Sequence, residues 1–431
     1  MLKKLTIRNF KAITDMTIDF TPMTVLIGGN ASGKSTVLQA LDFLRSFAFR
    51  DIPEYLREKG LNFEELKSQL NDGQNKPIEF ISDYEFLIDK KKLELSWYLQ
   101  IDHTEQMKGN WLIKEKMQNL STNQDIYSEE IYSRGFGKGG LMTAGDSNAV
   151  AGSPLAVAHS INELNIEASW LKYLSGTTHE QLLKPLRDYL SGSVFYGLLS
   201  PDSMRKGNGQ TLVGSIGING INLAACIHNM TPCDREQLDK TISKLVDCKV
   251  KIKTADVGRI ELYIEEDFCS TITRINKDHI SDGLLRIIAF TVISFMERTI
   301  AIITNDGHYL ATESGKILAA QKRDGLILLD EIENGINPYL TERIILSLRN
   351  LVVESDRQII ITTHSPVMLN DFMPEEIVFL WRDKNGFVHA KRFFDTEEMR
   401  EALSFLNPGE IWENYGKDTI LTKLGIKQED R

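Results

Sequence analysis

The most specific chemistry in this chain sits near its start. Gly28-Gly29-Asn30-Ala31-Ser32-Gly33-Lys34-Ser35-Thr36 fits the pattern G-x-x-x-x-G-K-[ST] at every fixed position. Glycines at those places let backbone N–H groups close around phosphate oxygens, and the positive end of a following helix faces the same anion. Lys34 is then expected to reach the β- and γ-phosphates of a nucleotide, and Ser35 to hold Mg²⁺. Two acids, Asp330 and Glu331, close a continuously apolar run from Leu326 to Leu329. After a phosphate loop, Asp330 suits the magnesium shell and Glu331 suits orienting or deprotonating an attacking water. His364 follows a second buried run, Ile359 to Thr363, and a strand-end histidine there can sense the γ-phosphate. Ser281-Asp282-Gly283 opens an apolar helix. Its serine reads equally as an ordinary N-cap and as a contact to the γ-phosphate of a nucleotide bound by another subunit.

The elements that must position these residues are legible around them. Met23-Thr24-Val25-Leu26-Ile27 is a β-branched apolar run, while Val37, Leu38, Leu41 and Leu44 recur as one face of a helix does, so the loop is predicted between a strand and a helix. The runs at 326–329 and 359–363 read as buried parallel strands whose carboxyl ends open on a ligand crevice. A strongly apolar helix is predicted over Leu284 to Phe295. Upstream, Leu5 to Phe10 and Met16 to Phe20 alternate as strands, and the alternation resumes from Ile78 through Leu99, as in an antiparallel sheet. Asp51 to Leu70 is polar and helical in character. Residues 105–153 lose periodicity and include Gly135, Gly137, Gly139 and Gly140, which predicts a mobile insertion. Helical patterns between Pro154 and Leu190 never sustain three or four heptads, so no long coiled-coil arm is expected. A second glycine-rich patch, Gly207 to Gly220, precedes a helix capped at Thr231-Pro232-Cys233-Asp234, with Leu238, Ile242, Leu245 and Val246 on one face. Val250–Lys253 and Ile260–Ile264 read as a hairpin around Gly258.

With 431 residues, 42% of them hydrophobic, the chain can fill a sizeable core. Its net charge of −10 gives no global attraction to nucleic acid, so any such contact must come from a local basic face or a partner. Cys226, Cys233, Cys248 and Cys269 lie far apart, which signals neither zinc nor a disulfide framework and suits a reducing compartment. No run approaches the apolar length of a membrane span, and Lys3-Lys4 is followed by no apolar leader core. A soluble cytoplasmic protein with no membrane contact is expected.

The order of phosphate loop, Ser-Asp-Gly helix, Asp-Glu strand, Glu333-Asn334-Gly335 turn and Thr363-His364-Ser365-Pro366 resembles the ABC-class ATPases of the RecF, SMC and OLD-like group. Most similar are predicted AAA-type ATPases that look like the ATPase part of OLD nucleases, many of them in bacterial anti-phage systems. Ile7-Arg8-Asn9-Phe10-Lys11 also resembles that group's first strand, which implies that Asn9 and Lys11 approach the nucleotide. The resemblance covers about 1–45 and 275–380. It implies an α/β P-loop fold of ABC-ATPase type, with a parallel core sheet, an adjoining antiparallel sheet and a largely helical inserted subdomain. The expected divisions are 1–104 with the phosphate loop, 105–230 as the insertion, and 231–431 with the later motifs. It makes Gly28, Gly29, Asn30, Ala31, Ser32, Gly33, Lys34, Ser35 and Thr36 the Walker A loop and Asp330 with Glu331 the Walker B pair. Lys34, Glu331 and His364 become catalytic, and Ser35 with Asp330 the magnesium ligands. Ser281, Asp282 and Gly283 become the signature that completes a partner's site, and Glu333 to Pro338 a dimer-facing turn.

The implied activity is Mg-dependent hydrolysis of ATP by at least a head-to-tail homodimer. The chain departs from the group at Ile332 and Asn337, where proline and histidine are frequent, and in the added stretch from Glu297 to Lys322, which reads as a hairpin serving a partner. Gln69 and Gln74 are the candidates by position for the Q-loop glutamine, and each reads more readily as an ordinary surface residue. OLD proteins continue past the switch histidine into a metal-dependent nuclease domain, whereas here Ile377 to Trp381 followed by Asp383 offers no paired acidic metal site. An effector, such as a nuclease, is therefore expected on a separate polypeptide. The competing readings are a RecF-like repair ATPase that binds DNA directly, a binding module stabilised by ATP, and a transporter's nucleotide-binding subunit.

Overall fold

The computed structural model describes residues 1–427 apart from 71–72, 89, 104–110, 134–141, 144–168, 174–179, 208–214, 247–249, 257–259, 269–270, 297–298, 302–319 and 323. Contacts divide the chain into two compact units. One comprises Met1–Ser193, Pro374–Phe405 and Tyr415–Arg431; the other comprises Val194–Met373 and Leu406–Asn414.

The first unit is built on an antiparallel sheet whose strands run, edge to edge, 13–19, 2–10, 78–88, 91–103, 111–119, 124–133 and 142–143. Alternation decides its faces: along Ile78–Ile88, Ile78, Phe80, Ser82 and Tyr84 are buried and their neighbours are not. The solvent face is laced by cross-strand ion pairs such as Arg8 with Asp15 and Glu79. Against this sheet packs the helix Lys34–Phe47, through Phe43 against Phe10 at 6.0 Å and Phe80 at 5.7 Å between ring centroids, with Tyr55 of the helix Ile52–Lys59 edge-on to Phe43 at 5.1 Å. Aromatic burial of this kind seats that helix against the sheet. The same unit holds the strand Met23–Ile27, fully buried and parallel to Ile377–Arg382, which pairs antiparallel with Val388–Arg392.

The aperiodic reading of 105–153 is corrected at Trp111–Asn119 and Gln124–Ser133, which are strands of the sheet. The pattern was hidden because the position that breaks the apolar alternation, Glu115, faces inward. Its buried carboxylate accepts from Trp97 Nε1 at 2.8 Å and Ser169 Oγ at 2.6 Å, which offsets the cost of desolvation. The four glycines from 135 to 140 and most of the helical pattern from 154 lie outside the described residues, as do Cys248 and Cys269.

In the second unit, Gly325–Leu329 is a fully buried strand parallel to Arg357–Thr362 on one side and Val194–Tyr196 on the other. The helix Asp282–Met296 is apolar nearly all round and correspondingly buried. The helix Pro232–Leu245 starts where predicted, with Thr231 Oγ1 accepting from the Asp234 N–H at 3.1 Å. Val250–Asp256 and Ile260–Phe268 form the predicted hairpin, extended by a third strand, Thr271–Asn276. Thr299–Ala301 and Ala320–Lys322 pair antiparallel, as the hairpin reading of the added stretch requires. Among the described residues, no helix is long and apolar enough to cross a membrane.

Candidate functional site

The phosphate loop lies in the first unit, and its glycines are dictated by close approach. A Cβ on Gly28 would sit 2.2 Å from the Leu380 carbonyl oxygen, and one on Gly33 would sit 2.8 Å from Val388 Cγ1. Gly33 also has φ +97°, and Ala31 takes a left-handed φ of 59°. The helix Lys34–Phe47 therefore starts abruptly, with no side-chain cap and no acidic residue in its first turn. Its positive end is left for an external anion. Lys34, only 5% exposed, folds its ammonium over the loop, donating to the Gly28 and Gly29 carbonyls at 2.9 and 3.0 Å. Among the described residues, the buried Ser32 hydroxyl has no hydrogen-bond partner. Ser35 and Thr36 are half-buried in the first helical turn, while Gly29, Asn30 and Ala31 are exposed. A buried ammonium, an uncapped helix start and an orphaned hydroxyl together are donors for a phosphate chain, so the residues fit a nucleotide.

Asn9 and Lys11 stand at a left-handed corner, with φ of 56° and 50°. Asn9 is buried, and its amide donates to the carbonyls of Gly73 and Lys76 at 2.7 Å each, while its oxygen accepts from the Ser68 N–H at 3.3 Å. It clasps Ser68, Gly73 and Lys76 to the first strand. Lys11 Nζ donates to Gln39 Oε1 on the phosphate-loop helix at 2.8 Å, and burial, aided by the like charge of Lys59, lowers its pKa. Gln69 and Gln74 both donate to the carbonyl of Glu64, just upstream.

The second unit gathers Asp330, Glu331 and the segment leading to His364. Thr362, at the end of the strand Arg357–Thr362, donates its hydroxyl to Asp330 Oδ1 at 2.5 Å and accepts the Glu331 N–H at 2.9 Å. Glu331 has φ +49°, a conformation costly for a glutamate. The turn offsets that cost, since Asn334 Nδ2 donates to Glu331 Oε2 at 2.7 Å. Glu333 Oε1 accepts the His364 N–H at 2.5 Å, while its buried Oε2 has no partner among the described residues. Two neighbouring strand ends are thus tied through carboxylates, a pattern built to hold charge in fixed positions. The signature sits in the same unit: Ser281 and Asp282 are exposed, Ser281 Oγ accepts from the Leu284 N–H at 3.3 Å, and Arg205 pairs with Asp282. In this geometry the serine acts as a cap. Asn337 caps too, accepting from the Tyr339 N–H at 3.1 Å.

Sequence reading missed Thr362, the individual role of Glu333, and Arg205. The first two had a signal, a β-branched hydroxyl closing a buried strand and an acid two residues past the Walker B pair. Arg205 had none, because its partner lies far along the chain. Among the described residues, no group of three or more His, Cys, Asp or Glu gathers as a metal site. Magnesium held between a hydroxyl, one carboxylate and phosphate oxygens needs no such group.

A phosphate loop at the end of a buried strand, with an acidic pair closing another, defines a P-loop ATPase of α/β class. The chain belongs to the AAA ATPase domain family, whose model matches residues 1–274. A second model, an AAA domain of a candidate AbiEii toxin of a type IV TA system, matches 271–370. An OLD nuclease from Thermus scotoductus is 39% identical over 44 residues, 10% of this chain, and the match spans only 8% of that protein's length. The resemblance to ABC-class ATPases of the RecF, SMC and OLD-like group stands with these matches. Among solved structures, an SMC head bound to the C-winged helix domain of ScpA covers 90% of this chain and 96% of its own, at 11% identity and a TM-score of 0.49. The SMC head domain from Thermotoga maritima covers 91% and 98%, at 13% and 0.43. These two likenesses are too distant to assign a role.

Proposed function

We propose that this chain binds and hydrolyses ATP with Mg²⁺ and works as a head-to-tail homodimer. Each protomer supplies Walker A, Asp330, Glu331 and His364, and its partner supplies Ser281, Asp282 and Gly283. The observation that carries this reading is Glu331, held in a left-handed conformation at a strand end, with its N–H on Thr362 and its carboxylate on Asn334. Such strain is retained where a side chain must be aimed. Lys34 neutralises phosphate charge, Ser35 and Asp330 are the metal ligands, and His364 senses the γ-phosphate. ATP with Mg²⁺ supplies the electrophilic phosphorus and the charge neutralisation.

The purpose we propose is that of a cytoplasmic ATP-controlled scaffold in anti-phage defence, holding or releasing a separate effector such as a nuclease. The AAA match over 271–370 and the OLD segment support that reading. The test is Glu331→Gln. ATP binding should persist while hydrolysis slows by on the order of 10²–10⁴, the usual scale of a general base. Wild-type turnover in this variant would refute the assignment. Its native mass with and without Mg-ATP, and the identity of any co-purifying protein, test the scaffold: a monomer unmoved by ATP would remove the composite site.

A further inference from the structure

Arg286 lies one turn into the helix Asp282–Met296 and is half-buried. Its Nε donates to the Leu199 carbonyl at 3.1 Å, and its Nη1 donates to the Asn334 carbonyl. A planar guanidinium can hold two carbonyls on separate segments at once; an ammonium cannot reproduce that fork. The same Asn334 grips the Glu331 carboxylate, and its N–H donates to the Glu331 carbonyl at 3.2 Å. Two glycines permit the approach. A Cβ on Gly283 would lie 2.8 Å from the Gly335 carbonyl oxygen, and one on Gly335, at φ +68°, would lie 2.5 Å from Arg286 Nη1. Arg205 also steadies the helix start, donating to the Ile280 carbonyl at 2.8 Å and pairing with Asp282. A continuous series of contacts therefore runs from Ser281–Gly283 through Arg286 and Asn334 to Glu331.

We infer that Arg286 is a positioning residue that couples the Ser281–Gly283 helix start to the turn holding Glu331, so that what seats against the signature also sets the general base of the same protomer. The inference rests on the ATPase reading. It makes the two sites of a dimer interdependent: a protomer whose signature is engaged by its partner's nucleotide has its own Glu331 aligned. Asn334 is the switchable joint, since it is held by its carbonyl on one side and holds the carboxylate by its amide on the other.

The test compares Arg286→Gln, Arg286→Lys and Gly335→Ala with wild type in steady-state kinetics, Mg-ATP binding and amide hydrogen exchange. Arg286→Gln should lower kcat by about 10–100-fold with nucleotide affinity within about threefold, as expected for a misplaced base rather than a lost binding contact. Exchange at 333–336 should quicken by about tenfold or more while the strand Gly325–Leu329 stays protected. Gly335→Ala, which keeps the charge but displaces the guanidinium, should behave alike, and Arg286→Lys should fall between. Wild-type kcat and exchange in Arg286→Gln would overturn the coupling, and so would loss of protection throughout the strand, because Arg286 would then be scaffold alone. If wild type hydrolyses no ATP, the proposed function falls, and the exchange pattern by itself decides the coupling.

Discussion

Single side chains at the strand ends do more than their motifs state. Thr362 serves both acids, as donor to Asp330 and acceptor for Glu331. Thr362→Val keeps the shape and removes both bonds, leaving the Glu331 N–H without its acceptor. We expect kcat to fall about tenfold and stability by about 1–2 kcal/mol, the cost of a backbone donor left unmet. Steady-state kinetics and a thermal melt on one preparation separate the two effects. Lys34 has a sharper outcome. Its ammonium rests on loop carbonyls that phosphate oxygens would replace as partners, so Lys34→Ala should abolish ATP binding in a filter or fluorescence assay. Unchanged affinity would remove the loop's assignment.

At the scale of elements, the phosphate loop depends on how firmly its helix is seated. The aromatic cluster around Phe43 supplies the apolar part, and Asp42 supplies an ionic one. Asp42 is buried and pairs with Arg45 at 2.7 Å and Lys59 at 2.8 Å. Burial alone would raise its carboxyl pKa, but the two cations outweigh burial and hold it below the ordinary value. A depressed carboxyl pKa contributes stability that is fully present above the unfolded value near 4 and is lost as pH falls through the folded value. Asp42→Asn should therefore cost about 3 kcal/mol at pH 7, the lower end for a broken buried pair because both cations keep partial access to water. The gap in Tm between variant and wild type should close as pH drops below about 4. A gap independent of pH would mean that the carboxylate charge contributes nothing.

For the whole molecule, the decisive property is whether sites are completed in trans. Ser281→Arg puts a bulky cation at the signature without touching its own Walker motifs. Mixed with wild type in increasing ratio, it should depress activity below the value expected from the remaining wild-type chains. Simple additivity would argue for self-contained protomers. The acidic net charge of −10 predicts weak, salt-sensitive association with nucleic acid unless a partner supplies the basic surface.

The sequence by itself determined the phosphate loop, the acidic pair, and the strand and helix on either side of the loop, because each rests on local spacing; the order of those motifs along the chain carried the resemblance to its family. Gly33, Lys34 and Ser35 are adjacent, and a strand that must be buried on both faces has to read as Leu326-Ile327-Leu328-Leu329. The tertiary structure decided what spacing cannot carry. Glu115 broke a hydrophobic pattern, and only its bonds to Trp97 and Ser169 show why 111–119 is still a strand. Asn9 carries a group resemblance in sequence, yet its amide is committed to the carbonyls of Gly73 and Lys76. The bonds from Arg286 to Leu199 and Asn334 join segments tens of residues apart. Hydrogen bonds over such separations leave no periodicity, since either partner satisfies its local backbone equally well without the other.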